Sequence, residues 1–112
     1  MISREHKYLF NLARIGMKIA ELFNVSGKVA IVTGGSRGIG EMIAAGFLAN
    51  GVKVYITARK EAALIEKAKE LSEMYNGKCI PVPCDLSTME GMDDFVSFFQ
   101  SKEDHIDYLI NN

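Results

Sequence analysis

Short, nearly continuous apolar runs alternate along this chain with stretches in which apolar residues recur every three or four positions. Val29 to Thr33 (VAIVT) is rich in β-branched residues, as expected of a strand covered on both faces of a parallel sheet. Ile39, Ile43 and Phe47, with Ala44 and Leu48 beside them, predict a helix that stops at Asn50-Gly51. Val52 to Thr57 (VKVYIT) predicts a second strand. Leu64, Ile65, Ala68, Leu71 and Tyr75 mark a second helix, closed by Asn76-Gly77. Cys79 to Val82 predicts a third strand, and Pro81 with Pro83 assigns it an outer place in the sheet, because proline donates no ladder hydrogen bond. Ser87 followed by Glu90 has the form of a capping box, and Met92, Phe95, Val96 and Phe99 supply the apolar face of a third helix. Ile106 to Ile110 predicts a fourth strand. This alternation predicts an α/β fold, a Rossmann-type doubly wound parallel sheet, incomplete after its fourth strand. The fourth strand would then present an unpaired apolar edge, which favours association.

Ahead of this region, Tyr8, Leu12, Ile15, Ile19 and Leu22 form a helical stripe over residues 1–24, with Ser3 as a candidate N-cap. The expected division is therefore a leader helix, 1–24, and a nucleotide-binding region, 25–112. Three readings of the leader stand open: a packing or oligomer helix, a poorly ordered leader, and a surface-binding or targeting helix. Arg14 and Lys18 interrupt the apolar core that a secretory signal needs, and Glu5 and Glu21 weaken the case for a transit peptide.

Composition narrows the function classes. With 112 residues, 48% hydrophobic and 24% charged, the chain is a globular mixture for one domain at most. A formal net charge of -1 provides no field that would gather nucleic acid or an anionic membrane. No apolar run approaches the roughly 20 residues of a membrane-spanning helix. Cys79 and Cys84, five residues apart in an extended segment, would sit about 16 Å apart, well beyond the roughly 7 Å limit for a bridge. Two thiols without a disulfide framework fit a reducing cytoplasm. His6 and His105 stand apart from any ligand cluster, so no metal site is expected.

The first strand runs directly into Thr33-Gly34-Gly35-Ser36-Arg37-Gly38-Ile39-Gly40. Glycines there allow a sharp turn and a close approach of backbone N–H groups to a diphosphate, and Gly40 permits tight helix-to-strand packing. The following helix N-terminus adds unpaired donors and partial positive charge. A nucleotide-triphosphate loop is excluded because no Gly-Lys-Ser/Thr follows.

Thr-Gly-x-x-x-Gly-x-Gly after the first strand, Asp85-Leu86 after the third and Asn111-Asn112 after the fourth together resemble the short-chain dehydrogenase/reductase family. The resemblance covers about Leu22 to Asn112. The match of GKVAIVTGGSRGIG and VYITAR is most similar to bacterial 3-oxoacyl-acyl-carrier-protein reductases of the rhamnolipid-biosynthesis type. It implies a dinucleotide held by Gly34, Gly35, Ser36, Arg37, Gly38, Ile39, Gly40, Arg59, Asp85, Leu86 and Asn112, with Asp85 near the adenine and Asn112 near the ribose. It also implies that Asn111 helps to hold the strands together. Asp85 has a second reading, as a cap for the turn at Ser87-Thr88.

An acidic residue at the end of the second strand would bind the ribose 2′-hydroxyl of NAD and repel a 2′-phosphate. Ala58 occupies that position, and Arg59 and Arg37 flank the same corner. Planar guanidinium groups suit a phosphate dianion, so NADP (NADPH) is the expected cofactor. The plainer reading of both arginines is a pair of solvated surface charges.

The family's serine, tyrosine and lysine set cannot be placed in this sequence. Tyr8, Tyr55 and Tyr75 lack a lysine four positions on, and Tyr108 has Asn112 there. The chain is therefore expected to be the cofactor-binding part of a longer, homo-oligomeric enzyme. That enzyme would act on a small-molecule carbonyl or alcohol, such as a 3-oxoacyl thioester, with no nucleic acid or membrane partner. A non-catalytic nucleotide-binding module and a product without activity are the alternatives.

Overall fold

The computed structural model describes residues 19–112. The elements are α1 (Ile19–Leu22), β1 (Val29–Thr33), α2 (Gly38–Ala49), β2 (Lys53–Ala58), α3 (Glu61–Tyr75), β3 (Cys79–Pro83), α4 (Met89–Lys102) and β4 (Tyr108–Ile110). Of the expected leader helix 1–24, the stretch before Ile19, including the candidate cap Ser3, lies outside the described residues.

One four-stranded sheet has the order β3-β2-β1-β4, and every pairing is parallel. The register aligns Val29 with Lys53 and Thr33 with Thr57 between β1 and β2, and Ala30 with Tyr108 between β1 and β4. β3, with its two prolines, is an edge strand, as its composition predicts. β1 lies between β2 and β4, so the chain switches the direction of sheet growth there. A crevice opens beyond the carboxyl ends of strands at such a point.

Strand side chains alternate between the two faces with period two. Ala30, Val32, Val54 and Ile56 pack with Ala44 and Leu48 of α2 and Leu64, Ala68 and Leu71 of α3. Val29, Ile31, Tyr55 and Val82 face the other way, toward Phe95, Phe98 and Phe99 of α4. Because both faces are covered, β1 reads as a continuous apolar run.

The helices bury narrower stripes than the sequence periodicity suggests. In α2 the buried positions are Gly40, Ala44 and Leu48, whereas Ile39, expected on the packed face, is 69% exposed. Gly40 packs closely beneath the Gly34 turn, Ala44 and Leu48 follow it on the buried ridge, and Ile39 faces outward. In α3, Ile65 is exposed and Leu64, Ala68 and Leu71 are buried. Asn76, in the left-handed conformation (φ 49), ends that helix, and its backbone N–H donates to Ser72 O.

α4 has no fully buried residue and holds to the sheet through aromatic contacts. The Tyr55 ring meets Phe99 edge-on at 5.2 Å and Phe98 at 6.3 Å. Met92 and Val96, expected on its apolar face, are exposed. The N-cap is Thr88 and not the expected Ser87: Thr88 Oγ1 accepts from Gly91 N at 3.0 Å. Ser87 is drawn away because its hydroxyl and its backbone N–H both donate to Asp85 Oδ1.

At the amino-terminal end of the sheet a carboxylate joins β2 to the end of α4. Glu103 Oε2 accepts from Lys53 Nζ and from the Tyr55 hydroxyl, each at 2.6 Å. The two hydrogen bonds hold the Glu103 carboxyl below its ordinary range, and burial, with Glu103 alongside, raises the Tyr55 phenol. β4 begins at Tyr108, later than the expected Ile106. Asp107 precedes the ladder and completes it with its side chain, as Asp107 Oδ2 accepts from Val29 N at 2.8 Å.

Candidate functional site

β1 ends at Thr33, and the chain turns over Gly34 to Arg37 to open α2. Gly34 and Gly38 have φ of 65° and 61°, a region that side-chain-bearing residues avoid. α2 starts at Gly38, inside the glycine motif. Its N-cap is Arg37, in an extended conformation, and no side chain caps the helix there. The first-turn N–H groups therefore have no side-chain cap at this end of the helix. Gly40 lies beneath the loop. A Cβ there would collide with Gly34 O and stand 2.8 Å from Asn112 Nδ2. The glycine turn and the uncapped start of α2 fit the diphosphate of the expected dinucleotide.

The turn is fastened from β4. Asn112 Nδ2 donates to Gly34 O at 3.3 Å, and Asn112 N donates to Thr33 Oγ1 at 2.9 Å. The Thr33 hydroxyl lies 3.4 Å from Ile110 O and 3.3 Å from Asn111 Oδ1, either of which can accept its proton. The two asparagines thus tie the end of β4 to the end of β1.

Beyond the strand ends lies a cavity of ≈ 960 Å³. Of the residues predicted from sequence, Gly34, Ser36, Arg37, Arg59, Asp85 and Leu86 line it. Gly35, Gly38, Ile39, Gly40 and Asn112 do not. Gly35 backs onto Ile56, Gly40 and Asn112 support the loop from below, and the Ile39 side chain is exposed. Thr57, Cys84, Ser87, Lys67 and Glu70 also line the cavity. Sequence reading missed those wall positions, though the Glu66-Lys67 to Glu70 charge pattern on the polar flank of α3 was a usable signal.

Charge on this wall is unevenly paired. Lys67 Nζ lies 2.9 Å from Glu41 Oε1 and 3.1 Å from Glu70 Oε2, and the two carboxylates raise its pKa. The Asp85 carboxyl is held below its usual range by the Ser87 hydroxyl and backbone N–H, with the Arg59 charge adding to the effect. Among the described residues no carboxylate comes within ion-pair distance of Arg37 or Arg59. Ala58 closes β2 at the position where an acidic residue would face a ribose. The wall can therefore offer an anion two guanidinium groups that hold no ion pair among the described residues.

Both cysteines are free, as their separation predicts. Burial pushes the Cys79 thiol up to about 12 and also raises Cys84, which marks neither as a reactive thiolate. Tyr55, Tyr75 and Tyr108 take no part in the cavity wall. Tyr55 is bound to Glu103, and Tyr108 stacks on Phe47 at 5.4 Å. No helix among the described residues is long and apolar enough to cross a membrane.

This cradle, switch point and strand order define a class, and residues 28–112 match the family profile described as short chain dehydrogenase. The chain belongs to that family. It is 41% identical over 90 residues to the rhamnolipids biosynthesis 3-oxoacyl-[acyl-carrier-protein] reductase of Pseudomonas aeruginosa, an alignment covering 80% of this chain and 34% of that protein. It is also 41% identical over 97 residues to a fatty acyl-CoA reductase of Acinetobacter baylyi, covering 85% of this chain and 32% of the relative. Among solved structures it resembles the RhlG/NADP active-site complex of Pseudomonas aeruginosa, with a TM-score of 0.75 and 42% identity over 80% of this chain and 36% of that one. L-sorbose reductase from Gluconobacter frateurii, complexed with NADPH and L-sorbose, gives a TM-score of 0.76 and 39% identity over 80% of this chain and 34% of that one. The chain spans about a third of the length of the curated relatives it matches.

Proposed function

We propose that this chain is the NADPH-binding portion of a reductase that converts a ketone, such as a 3-oxoacyl thioester, to an alcohol. The observation that carries the reading is a pair of guanidinium groups without an ion pair among the described residues, Arg37 and Arg59, lining one cavity with Ala58. An NAD site would have a carboxylate at that strand end, and a 2′-phosphate gains two charge-assisted contacts here instead.

Each part of the site then has a task. The N–H groups at the start of α2 bind the diphosphate, and Gly40 with Asn112 keeps the loop at the right height. Arg37 and Arg59 clasp the 2′-phosphate. Both hydrogen bonds from Ser87 fall on Asp85 Oδ1, so Oδ2 can accept from the adenine amino group, while Leu86 covers a face of the base. Bound NADPH supplies the hydride. The proton for the carbonyl oxygen must come from a positioned acid, and Tyr55, Tyr75 and Tyr108 all lie off the cavity wall. We assign the acid and the substrate pocket to the portion of the relatives that this chain does not span. A cytoplasmic homo-oligomer is part of the same proposal.

Calorimetric titration of the full gene product with NADPH and with NADH tests the reading. Tighter NADPH binding is expected. Equal affinities, or tighter NADH, would refute it.

A further inference from the structure

Resting on the NADPH reading, we propose that Lys67 tunes cofactor preference as a positioning residue, by keeping the carboxylates of Glu41 and Glu70 away from the 2′-phosphate site.

The cavity wall carries Arg37, Arg59, Lys60 and Lys67 as cations, with Glu66, Glu70 and Asp85 as anions. Glu41 stands one turn beyond Arg37 on α2, its N–H donating to Arg37 O at 3.3 Å. Arg37, the extended N-cap, and Glu41, in the first turn of α2, stand one turn apart along the chain, near enough for their opposite charges to attract. Left alone, Glu41 would compete with the phosphate for the Arg37 guanidinium. Instead its Oε1 is taken by Lys67 Nζ at 2.9 Å, across from α3. Lys67 also takes Glu70 at 3.1 Å, one turn along its own helix. Asp85 is bound by Ser87, and Glu66, the other carboxylate on the wall, comes within ion-pair distance of neither arginine. One lysine thus engages two acids, and both arginines stay unpaired among the described residues. The spacing of Glu41 from Arg37, read together with the pairing across to α3, points to a charge-sorting role beyond a tie between helices.

Such a role differs from mechanical bracing in what restores it. Lys67→Met keeps most of the apolar stem and removes the charge. Glu41 is then released toward Arg37, and NADPH affinity should fall by about three- to tenfold, the scale of one screened charge near a protein surface. NADH, which has no 2′-phosphate, should change less than about twofold, since the diphosphate cradle is untouched. Adding Glu41→Gln to that variant removes the competitor, so most of the lost NADPH affinity should return. The selective loss should also shrink as salt is raised from about 0.05 to 0.5 M.

Dissociation constants of both cofactors, measured on the full gene product as wild type, Lys67→Met and the Glu41→Gln/Lys67→Met pair, decide the matter. A selective loss that the second substitution recovers supports the proposal. An unchanged NADPH to NADH ratio in Lys67→Met overturns it, as does a parallel loss for both cofactors, or a selective loss without recovery. A wild type with no preference for NADPH overturns this proposal together with the reading beneath it. A wild type that prefers NADPH, with Lys67→Met unchanged, removes this proposal alone.

Discussion

Replacing Gly40 by alanine probes the support of the phosphate cradle with one added carbon. The new Cβ would collide with Gly34 O, approach Gly34 C to 2.9 Å and lie 2.8 Å from Asn112 Nδ2. Two of these atoms are backbone, so the loop itself must move. Overpacking at such a site costs about 1–3 kcal/mol, offset by up to about 1 kcal/mol from the better helix propensity of alanine. A net destabilisation of up to about 3 kcal/mol lowers Tm by up to about 12 °C in a domain of 150–250 residues. The shift also breaks the Asn112 hydrogen bond to Gly34 O and displaces the N–H groups at the start of α2. NADPH and NADH affinities should therefore fall together, by about tenfold or more, as expected for one lost charge-assisted hydrogen bond. Thermal unfolding and calorimetric titration of the full gene product measure both effects. A variant with Tm within about 1 °C of wild type and unchanged affinities would refute the support role of this glycine.

Three further perturbations separate the parts of the account. Arg59→Asp places a repelling carboxylate in the phosphate corner, and NADPH binding should weaken by at least about 1.5–3 kcal/mol while NADH changes less; equal losses would indicate misfolding. Thr88→Ala removes the N-cap of α4 and should cost about 1 kcal/mol in denaturant unfolding, whereas Ser87→Ala should leave that helix end intact; the reverse order would contradict the cap assignment. The Glu103 carboxyl titrates below its unfolded value, so it contributes stability above about pH 4.3 and loses that contribution as pH falls through its folded pKa. Glu103→Gln should thus narrow the stability gap between mildly acidic pH and about pH 3, and a gap as large as in wild type would refute a stabilising role for the Glu103 contacts with Lys53 and Tyr55.

Strand identity was legible because burial on both faces leaves a strand apolar throughout, as in VAIVT, and the edge place of β3 followed from its prolines. Helix faces were less legible. Ile39 fits an apolar stripe as well as Ala44 does, and only the packing of α2 on the sheet distinguishes the buried ridge of Ala44 and Leu48 from Ile39. Sequence alone does not separate Ser87 from Thr88 as the N-cap of α4, since the two carry the same chemistry, and Asp85 determines which is free to cap. The glycine loop, Arg37, Arg59 and Asp85 stood out because each adjoins a strand end. Lys67 and Glu41 did not, since their meeting depends on how α2 packs beside α3, and a pairing 26 residues apart leaves no local pattern.

The central claim is that Arg37 and Arg59 recognise a 2′-phosphate. A crystal structure of the full gene product with NADP bound tests it most directly. The account predicts both guanidinium groups within hydrogen-bonding distance of the 2′-phosphate, with the diphosphate over the first turn of α2. A 2′-phosphate standing in solvent, with Arg37 and Arg59 turned away from it, would contradict the account.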